Sequence, residues 1–437
     1  MNLKYRLGSY SAHRSAPLAP DGVDCQACAE DWGSWLHLSF MAHRLFGSQT
    51  SLREANRALL LDTIRRFGAM TQIELAENTG LSTATISNLV RQMGEQHLLE
   101  TSSTTRNGRR ATLVMLARQK GLGAGLYIGR HEMRLELVDA SHTILAEHNL
   151  ALPHNHKPDT TLERAMILIK ETLTSIGAGM DELVGLDIAL GAPVDCRTHQ
   201  LAIPGILKGW DNQDLIGTFR EAFNVPVSVD NDANYAALAE LRMGIAAGKR
   251  HFVYVHANDG VGAGIIINGE PWRGTTGLAG EIGHVQVDPL GDICICGNRG
   301  CLNTVVDESR LVSLLSVTHG TMTLEDLVSS VNQGDPGCRR IVADAAIRIG
   351  NVVADLCNAV DPQVVVLGGI LGTTGSVFLD PLQETLQRML FPDAMVPMEV
   401  LPARYPITGP ALGAAMMAVD KVNEHIAVSS QSAGQTS

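Results

Sequence analysis

The chain of 437 residues has no apolar run long enough to cross a membrane as a helix. Its opening stretch, MNLKYRLGSYSAHRSAPLAPDG, lacks the apolar centre of a secretory signal. Those two absences exclude a helical span and a signal peptide, and make the cytoplasm the expected location. Cysteine is sparse, with eight in the chain. Three of the eight fall in one cluster, which in a reducing compartment argues for metal ligation and against a disulfide scaffold. Positive charge is also short, with 34 Lys and Arg against 46 Asp and Glu and a net charge of −12, a balance that ordinarily argues against nucleic acid as a partner.

The average hides a division. Residues 51–120 carry ten Lys and Arg against six Asp and Glu, a net of +4, and residues 121–437 carry −16. A small basic module joined to a large acidic body suits a DNA-reading head on a ligand-sensing body. A hydrophobic content of 45% with 18% charged residues is globular, and the length predicts two or three domains.

Residues 1–50 show Pro, Gly and Ser punctuation without sustained period and are expected to be disordered. Within them Cys25 and Cys28 read as two unrelated thiols, and Trp32 to Met41 could form a short amphipathic segment. From Ser51 the pattern sharpens. LREANRALLLDTIRRFG places Ala55, Leu59, Ile64 and Phe67 near one helical face and stops at Gly68. Thr71 and Glu74 form a capping box for a second helix that closes at Gly80. Ser82 can cap a third, whose Ile86, Leu89, Val90 and Met93 make one apolar face. Two strands then flank Asn107-Gly108, a strong hairpin signal, with Arg106, Arg109 and Arg110 at the tip. Helix, helix, turn, helix and basic hairpin make residues 51–118 a winged helix-turn-helix. Its recognition helix presents Thr83, Ala84, Ser87, Asn88 and Arg91 to the major groove of double-stranded DNA, and the wing arginines meet phosphates or the minor groove. A three-helix packing module is the bland alternative. From about Leu122, β-branched runs alternate with helical patterns, which predicts an α/β body of two lobes with a cleft.

His284, Cys294, Cys296 and Cys301 form H-x9-C-x-C-x4-C. Thiolate and imidazole ligands favour tetrahedral Zn²⁺, and four protein ligands leave no open position for water, so the expectation is one structural zinc per chain.

The chain resembles the ROK family of repressors, open reading frames and sugar kinases, specifically its repressor branch. The resemblance runs from about residue 51 to about residue 420. It rests on GEIGH (280–284) followed by CICGNRGC (294–301), with PVD (193–195), GW (209–210), NDAN (231–234) and GVGAG (260–264) in the family's order. It implies an α/β fold in which a winged helix-turn-helix is joined to a two-lobed actin/hexokinase-like (ribonuclease H-like) body of the sugar-kinase type. On that plan residues 119–230 form the first lobe, 231–408 the second lobe with the zinc loop, 409–424 return to the first, and 425–437 are a disordered tail. The resemblance further implies that zinc stiffens the loop carrying Glu281 and His284, and that Asn231, Asp232, Glu281 and His284 hydrogen-bond sugar hydroxyls. The chemistry is reasonable, because a carboxylate accepts from two vicinal hydroxyls and an amide both donates and accepts. In a kinase Asp232 would be the base. Residues 230–232 would also cap the following helix.

Departures from the family pattern redirect the reading. Asn303 stands where the family carries a sugar-contacting glutamate, and Ile206 stands where it carries an asparagine in NLxGW. Ligand specificity must therefore differ from glucose- or N-acetylglucosamine-type members. The phosphate turn D-x-G-G-T corresponds to YIGRHE, with Tyr127, Arg130 and His131 in place of Asp, Gly and Thr. Losing the acid and the second glycine removes a magnesium-ordering group and close backbone approach, so phosphoryl transfer is not expected and no residue is assigned as catalytic. The expected function is a DNA-binding regulator, a repressor of carbohydrate uptake or metabolism genes. It would act as a homodimer or tetramer on an operator and answer to a sugar or sugar derivative in the interlobe cleft. A sugar kinase with an extra head, and a regulator governed by a protein partner such as a sugar-transport phosphocarrier, are the alternatives.

Overall fold

The structure, a computed structural model, describes residues 49–433 apart from 68–69, 97, 107–108, 117–120, 177 and 391–397. The expectations for residues 1–48, including Cys25 and Cys28, therefore lie outside the described residues, as does the Asn107-Gly108 turn.

The basic module begins with α1 (Gln49–Phe67), followed by β1 (Met70–Thr71), α2 (Gln72–Thr79), α3 (Thr83–Glu95), β2 (Leu99–Arg106) and β3 (Arg109–Leu116). Both caps form as the sequence predicts. The Thr71 side chain accepts from the Glu74 N–H while Glu74 accepts from the Thr71 N–H, and Gly80 closes α2 in the left-handed conformation. Ser82 accepts from the Thr85 N–H at the start of α3. The core gathers Leu60, Ile64, Leu75, Ile86, Leu89, Val90, Met93, Leu99 and Val114. One expectation is corrected: α1 turns Leu60, Thr63 and Ile64 inward, whereas Leu59 and Ala55 are exposed. The face is rotated by one residue because Ala58 to Leu61 offers an unbroken apolar choice. The hairpin pairs Arg106 with Arg109 and Thr105 with Arg110, and β1 adds a third strand by pairing Met70 with Val114.

In the body, β4 (Leu122–Ile128), β5 (Glu132–Asp139) and β6 (Ile144–Ala151) form an antiparallel meander. After α4 (Pro158–Ser175), β7 (Leu183–Leu190) adds parallel to β4. The short ribbon β8 (Val194–Asp195) and β9 (Gln200–Leu201) and helix α5 (Leu215–Phe223) lead to β10 (Val227–Asn231), parallel to β7. Helix α6 (Asp232–Arg242) crosses to a second sheet of the same plan. There β11 (Phe252–Ala257), β12 (Val261–Ile267) and β13 (Glu270–Pro271) are antiparallel. The zinc-motif loop leads to α7 (Asn303–Val306), α8 (Glu308–His319), α9 (Leu324–Asn332) and α10 (Pro336–Val360). Strand β14 (Val364–Gly368), helix α11 (Ser376–Met389) and strand β15 (Glu399–Pro402) complete the second sheet. Helix α12 (Gly409–Ala433) then returns to the first lobe and runs beyond residue 424, into the stretch expected as tail.

Each lobe has its own core, one led by Leu126, Ile188 and Phe219, the other by Val255, Leu327 and Phe378. Between them α6 is buried along its whole length and packs against α12. The close approach depends on small residues: a Cβ on Gly413 of α12 would lie 1.8 Å from the Tyr235 carbonyl oxygen of α6. Arg242 of α6 pairs with Asp420 of α12 at 3.2 Å, and His142 Nε2, from the β5–β6 turn, meets the other Asp420 carboxylate oxygen at 3.0 Å, which offsets the cost of burying that carboxylate.

Candidate functional site

The cleft between the lobes is lined by Tyr127, Arg130, Asn231, Asp232, His256, Asp259, Glu281, His284 and Asn303, among others. The fold brings all four sequence-predicted sugar contacts, Asn231, Asp232, Glu281 and His284, into this one cleft. Asn231 and Asp232 come from the β10–α6 junction, where parallel strand and following helix place ligand groups at the strand's carboxyl end. The Asn231 and Asp232 side chains both accept from the Ala233 N–H at 2.8 Å, and Asn231 also donates to the Ala192 carbonyl at 3.2 Å. The capping role is thus formed, and it does not exclude the ligand role expected of these two side chains. Beneath them Asp230 accepts from Asn234 at 2.9 Å and from Arg273.

The acids are strongly perturbed. Burial, with the Asp230 charge adding to it, pushes the Asp232 carboxyl up to about 7. Burial together with Asp232 and Asp230 pushes Glu281 up to about 8. A crowded acid cluster that is part protonated at neutral pH can both donate to and accept from a polyol.

Sequence reasoning missed His256. It is the penultimate residue of the apolar strand FVYVHA, is 4% exposed, and stacks on Tyr254 with centroids 6.0 Å apart. Its Nε2 lies 3.7 Å from an Asp232 carboxylate oxygen, too far for a hydrogen bond, and neither ring nitrogen has a hydrogen-bond partner among the described residues. Burial pushes its pKa down to about 4, so the ring is neutral and offers a donor and an acceptor to the cleft. No pattern in the strand marks it. Of the two departures, Asn303 accepts from the Val261 N–H at 2.9 Å and so pins the β11–β12 loop, while Ile206 presents its alkyl group to the cleft.

At the other end of the cleft the phosphate turn is reshaped. Tyr127 is 3% exposed, and a Cβ at Gly129 would lie 2.4 Å from its hydroxyl. Asn258 reaches that hydroxyl at 3.5 Å. The turn is held from behind by His156, whose Nε2 meets the Gly129 carbonyl at 3.1 Å, and the Trp210 indole donates to the His156 carbonyl at 3.4 Å. An acid that would order magnesium at this turn is thus replaced by a buried phenol.

The zinc motif closes on itself. The donor atoms of His284, Cys294, Cys296 and Cys301 lie within 4.8 Å of one another, with Cys296 Sγ 3.7 Å from Cys301 Sγ and Cys294 Sγ 3.5 Å from His284 Nδ1. A tetrahedral zinc with bonds of about 2.3 Å to sulfur and 2.0 Å to nitrogen has S–S edges of about 3.8 Å and S–N edges of about 3.5 Å. The cluster fits the ion. Burial keeps the imidazole below its usual pKa and so in its metal-binding neutral form. Gly300 is required here: its φ is +67°, and a Cβ would lie 1.5 Å from the Asp288 carbonyl oxygen.

In the head, Thr83, Ala84, Ser87, Asn88 and Arg91 are all exposed on α3, and Arg91 donates to Asn88 at 3.3 Å. The side chains of Arg106, Arg109 and Arg110 lie outside what the structure describes, but strand register places all three at the wing tip.

A winged helix-turn-helix followed by two βββαβαβ lobes around an acid-lined cleft is the architecture of a sugar-kinase-like body bearing a DNA-binding head. The chain belongs to the ROK family, whose model matches residues 123–421, and residues 54–111 match the MarR family model. It is 26% identical to the xylose repressor of Bacillus subtilis (strain 168) over 374 residues, covering 85% of this chain and 97% of that protein. It is 29% identical to the DNA-binding transcriptional dual regulator NagC of Escherichia coli (strain K12) over 354 residues, covering 78% and 86%. The fold is shared with a ROK family transcriptional regulator described as a homolog of E. coli MLC protein, at a TM-score of 0.67, 22% identity and coverage of 86% and 99%. A ROK family glucokinase from Streptomyces griseus, in complex with glucose and AMPPNP, matches at a TM-score of 0.60 and 26% identity, covering 69% of this chain and all of that one, 100%.

Proposed function

We propose that the protein is a sugar-responsive transcriptional repressor of carbohydrate genes, which binds operator DNA through α3 and the wing and an effector sugar in the interlobe cleft, without phosphorylating it. The observation that carries this reading is the asymmetry of the cleft. One end keeps Asn231, Asp232, Glu281 and His284 in the lining, with His256 beside them, whereas the phosphate turn carries Tyr127, Arg130 and His131. The matches to both named regulators cover 85% and 78% of this chain, more than the body alone can supply. Zinc held by His284 and three cysteines would fix the loop that delivers Glu281, so the metal acts on effector binding through position and not through chemistry. Effector binding would close the cleft and shift the placement of heads in a dimer or tetramer, a coupling that requires different effector affinity in the two states. Domain limits of 51–118 for the head and 119–424 for the body serve as the boundaries for separating the two activities.

Calorimetry against a panel of pentoses, hexoses and amino sugars tests the binding claim, run beside an ATP-dependent phosphorylation assay on the same sugars. Saturable binding of at least one sugar with no turnover is the expected pair of results. Turnover lost in Asp232→Asn would make the protein a kinase, and an empty cleft against every sugar would move control to a protein partner.

A further inference from the structure

At the mouth of the cleft, three side chains to which the proposed function assigns no ligand converge from both lobes. His131 sits on the turn between β4 and β5 of the first lobe, and Asp259 and Glu308 belong to the second, at the β11–β12 turn and the start of α8. His131 Nε2 lies 3.1 Å from one Glu308 carboxylate oxygen, and the donor atoms of all three residues lie within 4.8 Å of one another.

Each partner is held in place by something else. The other Glu308 oxygen accepts from the Leu324 N–H at 3.3 Å, and the Glu308 N–H donates to the Asp259 carbonyl at 3.0 Å, which locks the two acidic residues to one another. The His131 ring stacks on His154 with centroids 5.5 Å apart and planes 18° apart, which fixes its orientation. The Asp259 carboxylate has Glu308, His131, Arg130 and Glu325 around it but no hydrogen-bond donor among the described residues. All three residues are partly accessible, so an ion can enter. Two carboxylates side by side, one of them without a donor, repel unless a cation stands between them. Arg130 offsets part of that charge from the cleft wall, and the convergent imidazole supplies a nitrogen ligand of its own.

We propose that His131, Asp259 and Glu308 form a second metal site, distinct from the cysteine cluster, which takes a first-row divalent cation of the Mn²⁺ or Zn²⁺ type and bridges the two lobes. One nitrogen and two carboxylate oxygens with solvent access suit such an ion, leaving its remaining positions to water, whereas the thiolate-rich cluster selects zinc. A bound ion ties the first lobe to the second at the cleft mouth and so favours the closed arrangement. The site stands whether or not the cleft binds a sugar.

The probe is Mn²⁺ alone, titrated into full-length, zinc-loaded protein, with free Mn²⁺ followed by electron paramagnetic resonance. About one Mn²⁺ per chain is expected, bound at least roughly tenfold more weakly in Glu308→Gln and in His131→Asn. The exposed Arg197→Gln variant should bind as the wild type does. Asp259→Asn removes one of two repelling charges, so it should fold at least as well as the parent while losing the ion; circular dichroism and cluster zinc content check each variant. Wild-type protein that leaves all Mn²⁺ in solution at millimolar concentration overturns the site and leaves His131–Glu308 as a plain ion pair. Uptake that Asp259→Asn and Glu308→Gln leave unchanged overturns it as well.

Discussion

The head and the body place their functional groups on opposite sides of the folding balance. In the head the core cluster is apolar, and the groups proposed to read DNA, Ser87, Asn88 and Arg91, are exposed. In the body the working groups are themselves buried: Asp232 and His256 are 8% and 4% exposed, and the His256 ring nitrogens have no hydrogen-bond partner among the described residues. Stability and function are therefore separable in the head and opposed in the cleft, because a buried polar group without a partner costs free energy until a ligand satisfies it. Breaking the two regions in parallel should show that difference.

The largest effect belongs to the metal cluster, where function and stability coincide. Cys296→Ser should lose zinc and several kcal/mol of stability, since metal binding to such a site is folding free energy. Metal analysis of purified protein with thermal melting checks both, and zinc-free wild type of unchanged stability would remove the cluster from the account. Next comes the recognition helix. Arg91→Ala should weaken operator binding by ~1–3 kcal/mol and narrow the gap to random DNA, with the melting temperature of the head unmoved.

The cleft should respond in the opposite sense. Asp232 and Glu281 have folded values of about 7 and about 8, above the ~4 of an unfolded carboxyl. The folded state therefore holds protons that the unfolded chain releases. The stability contributed is complete below about pH 4 and is lost as pH rises through the folded values. Asp232→Asn and Glu281→Gln should accordingly melt higher than wild type near pH 8.5, by the equivalent of at least ~1 kcal/mol, the value of one pKa unit. Near pH 5 the difference should shrink. Melts in the absence of sugar measure this, and variants less stable than wild type at high pH would contradict the opposition. The smallest effect is at the wing: Arg109→Ala should weaken all duplexes similarly and lower the salt slope by about one unit.

The same contrast explains what was legible in the sequence. Capping boxes, helix period and the hairpin signal are local, and in the head they predicted the starts of α2 and α3 correctly. The misplacement of Leu59 came where consecutive leucines left the period ambiguous, and β1 was missed because two residues carry no strand pattern. The clustering of His284 with the three cysteines, and the meeting of the NDAN and GEIGH residues in one cleft, were legible because their spacing is chemical. His256 and the His131–Asp259–Glu308 convergence were not. His256 sits unmarked in a buried strand, and His131, Asp259 and Glu308 lie far apart in the chain, on two turns and a helix start, so that only the packing of two lobes brings His131 to the other two.

The most direct measurement of the central claim is fluorescence anisotropy of the intact protein on a genomically selected duplex and on its scrambled counterpart, with and without each sugar of the panel. The account predicts tight binding to the selected duplex over the scrambled one and release by one sugar. In Asp232→Asn it predicts the same DNA affinity but no release. Equal affinity for selected and scrambled duplexes, with every sugar and without, would contradict it.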